Sequence, residues 1–298
     1  MSESLASPSY VVIGASDLAK SARFLGYFGF MSASSSTLSA AAATALYGLD
    51  QPVEVQELDV PGARQGRVRL VATPHPPRSA GPYDARPVAI DLYTRDIHRS
   101  LEIAEAAGAE LGELVEYDLG PLEIKEVEVI GPDHLVVVFL QVNKLRPSVL
   151  DHDHDRLHSE VHSIVMSVRD AEAALPFWTG PSGLTTLIDA KIEGPIISRL
   201  MGLPRPNVPV RFILLCDEAS NPARLELLEF FEDPGDELPN WPLAAGLQGP
   251  GFDVADLDRA QAVLTGADFG AVTLVEAGRA VSAVAPGGVR FELRELAG

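Results

Sequence analysis

A fourfold internal repeat constrains the fold of this chain more than any other feature. Each repeat begins with a short run rich in apolar residues, and each run leads to an aspartate followed by apolar residues at helical spacing. Aspartate is favoured at the N-cap of a helix, so each repeat predicts a strand, a cap and an amphipathic helix. The capping residues are Asp17, Asp96, Asp170 and Asp256, at intervals of 79, 74 and 86 residues.

Further segments of strand length follow each predicted helix. They are apolar or alternating runs, the pattern typical of strands, at 53–60, 67–72, 123–130, 135–142, 208–215, 224–230, 271–276 and 289–296. Each unit is therefore a strand, a helix and two or three antiparallel strands, which predicts an α+β chain. A unit of this size cannot bury its apolar face alone, so we expect the units to pair.

The charge and composition of the chain disfavour several classes of function. The formal net charge of −19 disfavours binding to nucleic acid or to an anionic membrane through the general surface. No apolar run approaches the roughly 18 residues of a membrane span, and the N-terminus lacks the basic start and apolar block of a secretory signal. Cys216 is the single cysteine, so no internal disulfide can form. We expect a cytoplasmic protein whose partner is a small molecule.

A polar run at the midpoint indicates where the chain divides. Residues 151–158 read Asp-His-Asp-His-Asp-Arg-Leu-His, which is typical of a solvated linker, although alternating histidine and aspartate also leaves a metal site open. We predict an N-terminal module of two units over 1–147, a linker over 148–160 and a C-terminal module of two units over 161–298.

Several motifs together resemble the vicinal oxygen chelate superfamily, which includes glyoxalase I, methylmalonyl-CoA epimerase, bleomycin-resistance proteins and extradiol dioxygenases. Besides the strand–aspartate–helix starts, they are Met-Gly-Leu-Pro at 201–204, Ala-Arg-Leu-Glu-Leu-Leu-Glu-Phe at 223–230 and Val-Arg-Phe-Glu-Leu at 289–293. The resemblance covers nearly the whole chain. It implies four βαβββ units that pair into two cupped modules of mixed sheet.

The superfamily carries its metal ligands on the first and last strands of each unit. In the first two units the resemblance places these positions on Tyr10, Arg69, Ala89 and Val138, none of which is a usual ligand. It therefore implies an N-terminal module without a metal, whose pocket is lined by Tyr10 and Arg69. The Arg69 guanidinium either binds a carboxylate or phenolate of the ligand, or pairs with Glu54 or another acid as a structural residue.

In the last two units the last-strand positions fall on Glu226 and Glu292, which match the acidic ligand of the superfamily. The first-strand positions fall on Ser163 and Gly249. His162 precedes Ser163, and because neighbouring residues on a strand face opposite sides, His162 reaches the pocket only through a bulge.

Glu226, Glu292 and His162 are thus the candidate ligands of one divalent metal, Fe, Mn, Ni or Zn, in the C-terminal module. Two other interpretations stay open for the glutamates. They are either inherited pocket residues without a role in chemistry, or one of them is a metal-free general base whose pKa is raised by burial.

We expect a small-molecule enzyme with proton-transfer chemistry, as an isomerase, epimerase, lyase or cyclase. Its catalytic residues would be Glu226 and Glu292, and Tyr10, Arg69 and Ser163 would contact the substrate. An extradiol-type ring-cleaving dioxygenase is the second interpretation, although the two histidines and one carboxylate of such a site are not found at the matching positions. The third is a binding protein that sequesters a hydrophobic metabolite or antibiotic. A chain with four units can act as a monomer, and a homodimer is equally open.

Overall fold

A computed structural model of the protein describes residues 5–231, 235–276 and 278–296. They form two mixed β-sheets of nine strands each, together with six α-helices. Each sheet combines two of the four repeats, which confirms the predicted α+β fold of paired units. Among the described residues, no helix has the length and apolar character needed to cross a membrane.

The helices confirm all four predicted caps. They are α1 (Leu18–Gly26), α2 (Ala40–Tyr47), α3 (Ile97–Ala106), α4 (Ala171–Thr179), α5 (Pro195–Leu200) and α6 (Leu257–Val263). Asp17, Asp96, Asp170 and Asp256 each have an extended backbone, and each side chain accepts a hydrogen bond from the N–H three residues later at 2.9–3.1 Å. Each cap pairs a donor that the first helical turn leaves free.

The strands follow the predicted segments and add several between them. In chain order they are β1 (Tyr10–Ala15), β2 (Met31–Leu38), β3 (Val53–Asp59), β4 (Arg67–Ala72), β5 (Arg86–Thr94), β6 (Glu110–Leu111), β7 (Val115–Leu119), β8 (Leu122–Ile130), β9 (Val136–Val142), β10 (His158–Val168), β11 (Thr185–Ile192), β12 (Val210–Cys216), β13 (Arg224–Phe230), β14 (Gly246–Val254), β15 (Asp268–Phe269), β16 (Thr273–Val275), β17 (Gly278–Val284) and β18 (Arg290–Leu296). In every repeat the first strand lies parallel to the last, as β1 does to β4 and β10 to β13.

The pairing of the repeats differs from the prediction. Sheet one has the order β15-β17-β18-β14-β1-β4-β3-β2, with β16 on β17, and joins repeat one to repeat four. Sheet two has the order β11-β12-β13-β10-β5-β9-β8-β6, with β7 on β8, and joins repeats two and three. The segments 1–147 and 161–298 therefore each contribute one repeat to each sheet. Because β9 and β10 flank β5, the connection between them has to cross only one strand.

The apolar side chains alternate between a central core and the concave face of each sheet. On β1, Val11 belongs to the central core, whereas Tyr10 lies on the concave face of sheet one. On β13, Leu225 belongs to the central core and Leu228 to the concave face of sheet two. The concave faces are therefore the surfaces on which a ligand site can form. Trp178 of α4 is fully buried in the central core.

The contact between β1 and β14 generates a first prediction. Gly251 lies opposite Tyr10, and a Cβ at residue 251 would come within 2.1 Å of the Tyr10 ring. The buried ring cannot yield without a shift of the strands, so we expect Gly251→Ala to lower the free energy of unfolding by roughly 1–3 kcal/mol. Chemical denaturation measures the change. Gly26→Ala is the control, because a Cβ there meets nothing within 4 Å; equal losses in both variants would contradict the packing.

Candidate functional site

A cavity of about 360 Å³ lies on the concave face of sheet two. Its walls come from both repeats of the sheet, and Ile197 and Leu200 of α5 contribute to its lining. Most of the lining is apolar, with Val165, Leu214 and Leu228 on its strands. The cavity is therefore shared by residues on both sides of the predicted linker, and does not belong to the C-terminal half alone.

Four acidic side chains lie among these apolar walls. They are Asp91 on β5, Glu126 and Glu128 on β8, and Glu226 on β13. Side chains two residues apart on a strand point to the same face, so Glu126 and Glu128 of β8 both point to the concave face. The Tyr117 hydroxyl of β7 donates a hydrogen bond of 2.8 Å to Glu126 Oε2 and holds that carboxylate in place.

Burial raises the pKa of all four carboxyl groups, because an apolar environment disfavours the charged form. The pKa of Glu126 and that of Glu128 rise to about 7, and Arg86 partly offsets the rise for Glu128. The pKa of Glu226 rises to about 8, with the negative charge of Glu126 as the second cause. The pKa of Asp91 is also well above its ordinary value through burial and then the charge of Glu226. Protonated and ionised carboxyls therefore coexist in the cavity near neutral pH.

A bulge on β10 brings both Ser163 and His162 to the cavity. Ser163 lies opposite Asp91 and Val161 opposite Leu92, so His162 is the extra residue. On a regular strand, by contrast, His162 and Ser163 would point to opposite faces.

The His162 ring is held on two sides. It stacks on Tyr93 at 3.8 Å between ring centroids, and its Nδ1 accepts a hydrogen bond of 2.6 Å from Arg224 Nη1. Burial and then the charge of Arg224 lower the pKa of His162 well below its usual range. The imidazole is therefore neutral, and the lone pair on Nδ1 is already engaged.

Sheet one encloses the other predicted site residues in a sealed cluster. Tyr10 Oη and Tyr47 Oη donate hydrogen bonds of 2.7 and 2.8 Å to the two oxygens of Glu292. Arg69 Nε donates to Tyr47 Oη at 3.1 Å and lies 3.7 Å from Glu292 Oε1. Glu292 is 0% exposed, and none of these four residues lines the sheet-two cavity. Tyr10 and Arg69 thus meet Glu292, which was predicted to lie in the pocket of the other module, and together they fill the space that a ligand would occupy.

Charged residues extend this cluster across four strands. Arg69 Nη1 pairs with Glu57 at 2.6 Å, and Arg294 Nη1 pairs with the same Glu57 oxygen at 2.8 Å. Arg294 Nε also donates to Asp253 at 2.9 Å. The structural interpretation of Arg69 therefore holds, with Glu57 and Glu292 as its acidic partners in place of Glu54.

Equivalent positions explain why one sheet is filled and the other is hollow. Tyr10 lies opposite Gly251, which pairs with Glu292; Ala89 lies opposite Val165, which pairs with Glu226. A methyl group thus stands in sheet two where sheet one has a tyrosine ring. Residues of α2 close the concave face of sheet one further, since Leu46 and Tyr47 are fully buried there.

Glu126 and Glu128, which were not predicted as site residues, have only a weak signal in the sequence. In the predicted strand 123–130, Glu126 and Glu128 alternate with Val127 and Val129, which belong to the central core. A strand with one buried apolar face and acids on the other is usually a half-solvated strand, so this pattern alone does not predict a cavity. Asp91 carries the same ambiguity on β5.

Solved structures confirm the predicted fold. Glyoxalase I from Zea mays is similar with a TM-score of 0.64 and 14% sequence identity, over 96% of this chain and 91% of that protein. The chain has the vicinal oxygen chelate fold. A candidate dioxygenase of Bacillus subtilis has a TM-score of 0.68 and 8% identity, over 99% of this chain and 86% of that protein. No protein-family model and no curated protein matches the chain. The likeness shows the fold and does not assign the chemistry, which depends on the residues of the cavity.

The fold implies a divalent metal, but the residues present do not form its ligand set. Glu226 and Glu292 lie in different sheets, and the Nδ1 of His162 accepts from Arg224. Within the described ranges, no group of three or more His, Cys, Asp or Glu side chains is arranged to hold a metal ion. The predicted set of Glu226, Glu292 and His162 is therefore not assembled.

The sealed cluster around Glu292 predicts that a substitution at this residue lowers the free energy of unfolding. Glu292→Gln removes the negative charge that two tyrosine hydroxyls and Arg69 surround, and leaves a buried guanidinium with less compensation. Breaking a buried ion pair costs about 3–5 kcal/mol, and we expect a loss near the lower end because glutamine still accepts hydrogen bonds. Denaturant unfolding measures it against Glu229→Gln, a half-buried glutamate on β13. A loss below that of the control would contradict a structural role for Glu292.

The raised pKa of Glu126 makes stability depend on pH. The folded state holds this proton more tightly than the unfolded chain, so stability should fall as the pH rises from about 4.5 to about 7. We expect Glu126→Gln to be more stable than wild type at about pH 8 by roughly 1–2 kcal/mol, since a pKa unit is worth about 1.4 kcal/mol and partial exposure reduces the effect. Near pH 4 the difference should vanish. Parallel denaturation curves at both pH values test this, and a constant difference would contradict it.

Proposed function

We propose that the protein is a small-molecule enzyme that transfers protons in the cavity of sheet two, with Glu226 as the general base. The observation that carries the proposal is a carboxyl group whose pKa lies near neutrality inside an apolar cavity large enough for an organic molecule. A general base works best when its pKa is close to the working pH, because it is then both available and strong.

The neighbouring carboxyl groups give the site an acid as well as a base. Ionised Glu226 would remove a proton from a carbon next to a carbonyl group, and the electrons of the broken C–H bond would move onto the carbonyl oxygen. Asp91, whose pKa is raised by burial and then by the charge of Glu226, stays protonated and can donate a hydrogen bond to that oxygen. Return of the proton from Glu226 to the same or the adjacent carbon completes an epimerisation or isomerisation.

Ser163 and Tyr117 support this arrangement. Ser163 lies opposite Asp91 on the cavity wall, and Tyr117 fixes Glu126 through its hydroxyl. Glu292, Tyr10 and Arg69 take no part in the proposed reaction, because they fill the concave face of sheet one. The dioxygenase interpretation loses support, since His162 is the one histidine among the described residues that line the cavity.

A panel of small ketones, aldehydes and thioesters in D₂O tests the proposal. We expect the protein to exchange carbon-bound protons next to the carbonyl of at least one compound, as followed by NMR, and Glu226→Gln to slow this exchange by about 100-fold or more. Glu229→Gln is the matched control, since its central-core neighbours Leu225 and Leu227 place residue 229 on the opposite face of β13. Unchanged exchange in Glu226→Gln would contradict the role of Glu226.

The pH profile of the exchange gives a second readout. Because Glu226 has to be ionised, the rate at substrate concentrations well below saturation should rise with pH and reach half its maximum near the pKa of about 8 of the free protein. Glu126→Gln removes the negative charge that raises this pKa, so the half-maximum should move to lower pH. A profile that does not move would assign the ionisation to another group.

Sequestration is the second candidate, favoured by the largely apolar lining of the cavity. Compounds that bind in stoichiometric amounts, none of which shows exchange or product, would support this candidate over the enzyme.

A further inference from the structure

The wall of the cavity has more acidic than basic side chains. The basic side chains among its described lining residues are Lys144 and Arg146, both on the segment after β9. The charge of Arg146 acts on Tyr93 and His162. Burial and mutual repulsion raise the pKa of the acids. The hydroxyls of Ser163 and Tyr117 partly offset the rise for Asp91 and Glu126, and the charge of Arg86 does so for Glu128.

A buried hydroxyl on the same wall lacks a close hydrogen-bond partner. The Ser163 hydroxyl is buried, with 1% of the residue exposed. It acts on the Asp91 carboxyl and lowers the pKa of that group, but it has no partner within hydrogen-bond distance among the described residues. It lies on the cavity wall opposite Asp91. A buried hydroxyl without a partner costs free energy, so a ligand that supplies a donor or an acceptor here relieves that cost.

The acids of the cavity suit an ammonium group better than a metal ion. No three of the described metal-binding side chains are arranged around one ion position. An ammonium group offers three N–H donors, which can form charge-assisted hydrogen bonds with carboxylate oxygens on β8 and β13. The apolar side chains Val165, Leu214 and Leu228 provide the surface for a hydrocarbon frame.

We propose that the substrate of this cavity carries a protonated amine on an apolar frame, with Glu126 and Glu226 as the groups that recognise the cation. The inference rests on the proposed function, because it names the substrate class of the same site. It also adds a consequence for catalysis: a bound cation stabilises the ionised carboxylates and lowers their pKa. The substrate would then convert Glu226 into its basic form on binding, and protons would be released to the solvent.

Three probes of one shape separate charge from size. Calorimetry at about pH 7 compares 2-phenylethylamine, 2-phenylethanol and phenylacetate, and the amine is fully protonated because its pKa is about 10, as for lysine. We expect the amine to bind at least tenfold more tightly than the alcohol, and phenylacetate to bind most weakly. The heat of amine binding should vary between two buffers of different ionisation enthalpy, which reports proton release.

Variants assign the preference to the acids. Glu126→Gln should reduce the amine affinity by about tenfold and leave the alcohol affinity unchanged. Glu229→Gln should change neither value. Ile188→Trp, at a half-buried position of β11 on the cavity wall, should abolish binding of both compounds by filling the space.

The possible failures are distinct. Equal affinities for amine and alcohol, both lost in Ile188→Trp, would overturn the charge preference and keep the cavity as a binding site. Tighter binding of phenylacetate would overturn it in favour of recognition by Lys144 and Arg146. Binding of none of the probes would contradict a small-molecule site altogether. If the protein prefers the amine but exchanges no carbon-bound proton, the proposed class of ligand is supported and the proposed enzymatic function is contradicted.

Discussion

The burial of the Tyr10 ring against Gly251 determines which of the two concave faces stays open. A glycine is needed at residue 251 because a side chain there would overlap the ring. Once the ring is buried, its hydroxyl meets Glu292, and Tyr47 completes the pairing of that carboxylate. The two similar sheets therefore differ. The concave face of sheet one is filled by an internal cluster, whereas that of sheet two, with Ala89 at the matching position, has a cavity.

The opened face changes the chemistry of an otherwise similar glutamate. Glu292 is surrounded by hydroxyl donors and a guanidinium, which compensate its charge. Glu226 stands at the equivalent position of sheet two, but its environment is apolar wall and other acids, so its pKa rises toward the range in which proton transfer is efficient. Equivalent positions therefore support stability in one sheet and the proposed proton transfer in the other.

Local structure was well predicted because it depends on local rules. The N-cap aspartates and the strands 67–72 and 224–230 follow from side-chain chemistry and periodicity, and the structure reproduces them. The edge strand β2 is rich in serine and lacks that signal; it forms because it pairs with β3. The pairing of repeat one with repeat four is a non-local choice, and four similar units offer no sequence difference that decides it.

The site was only half predictable for the same reason. Glu226, Ser163 and His162 do lie together, but the bulge that admits His162 leaves no mark in the sequence. Glu292 matched the family pattern as well as Glu226, and only the residues opposite each of them distinguish a filled face from a hollow one. Asp91 and Glu126 come from the other repeat of the sheet, so their proximity to Glu226 required the correct pairing of repeats.

The protonation state of the cavity acids tests the account most directly. Carbon-13 NMR of labelled Asp and Glu carboxyl groups, followed from about pH 4 to about pH 10, would resolve groups that titrate well above the ordinary Glu value of about 4.3. We predict signals that still titrate near pH 7 to 8, of which one is lost in Glu226→Gln and one in Glu126→Gln. Complete ionisation of every carboxyl group below about pH 5.5 would contradict the account, because the cavity would then hold no base of raised pKa.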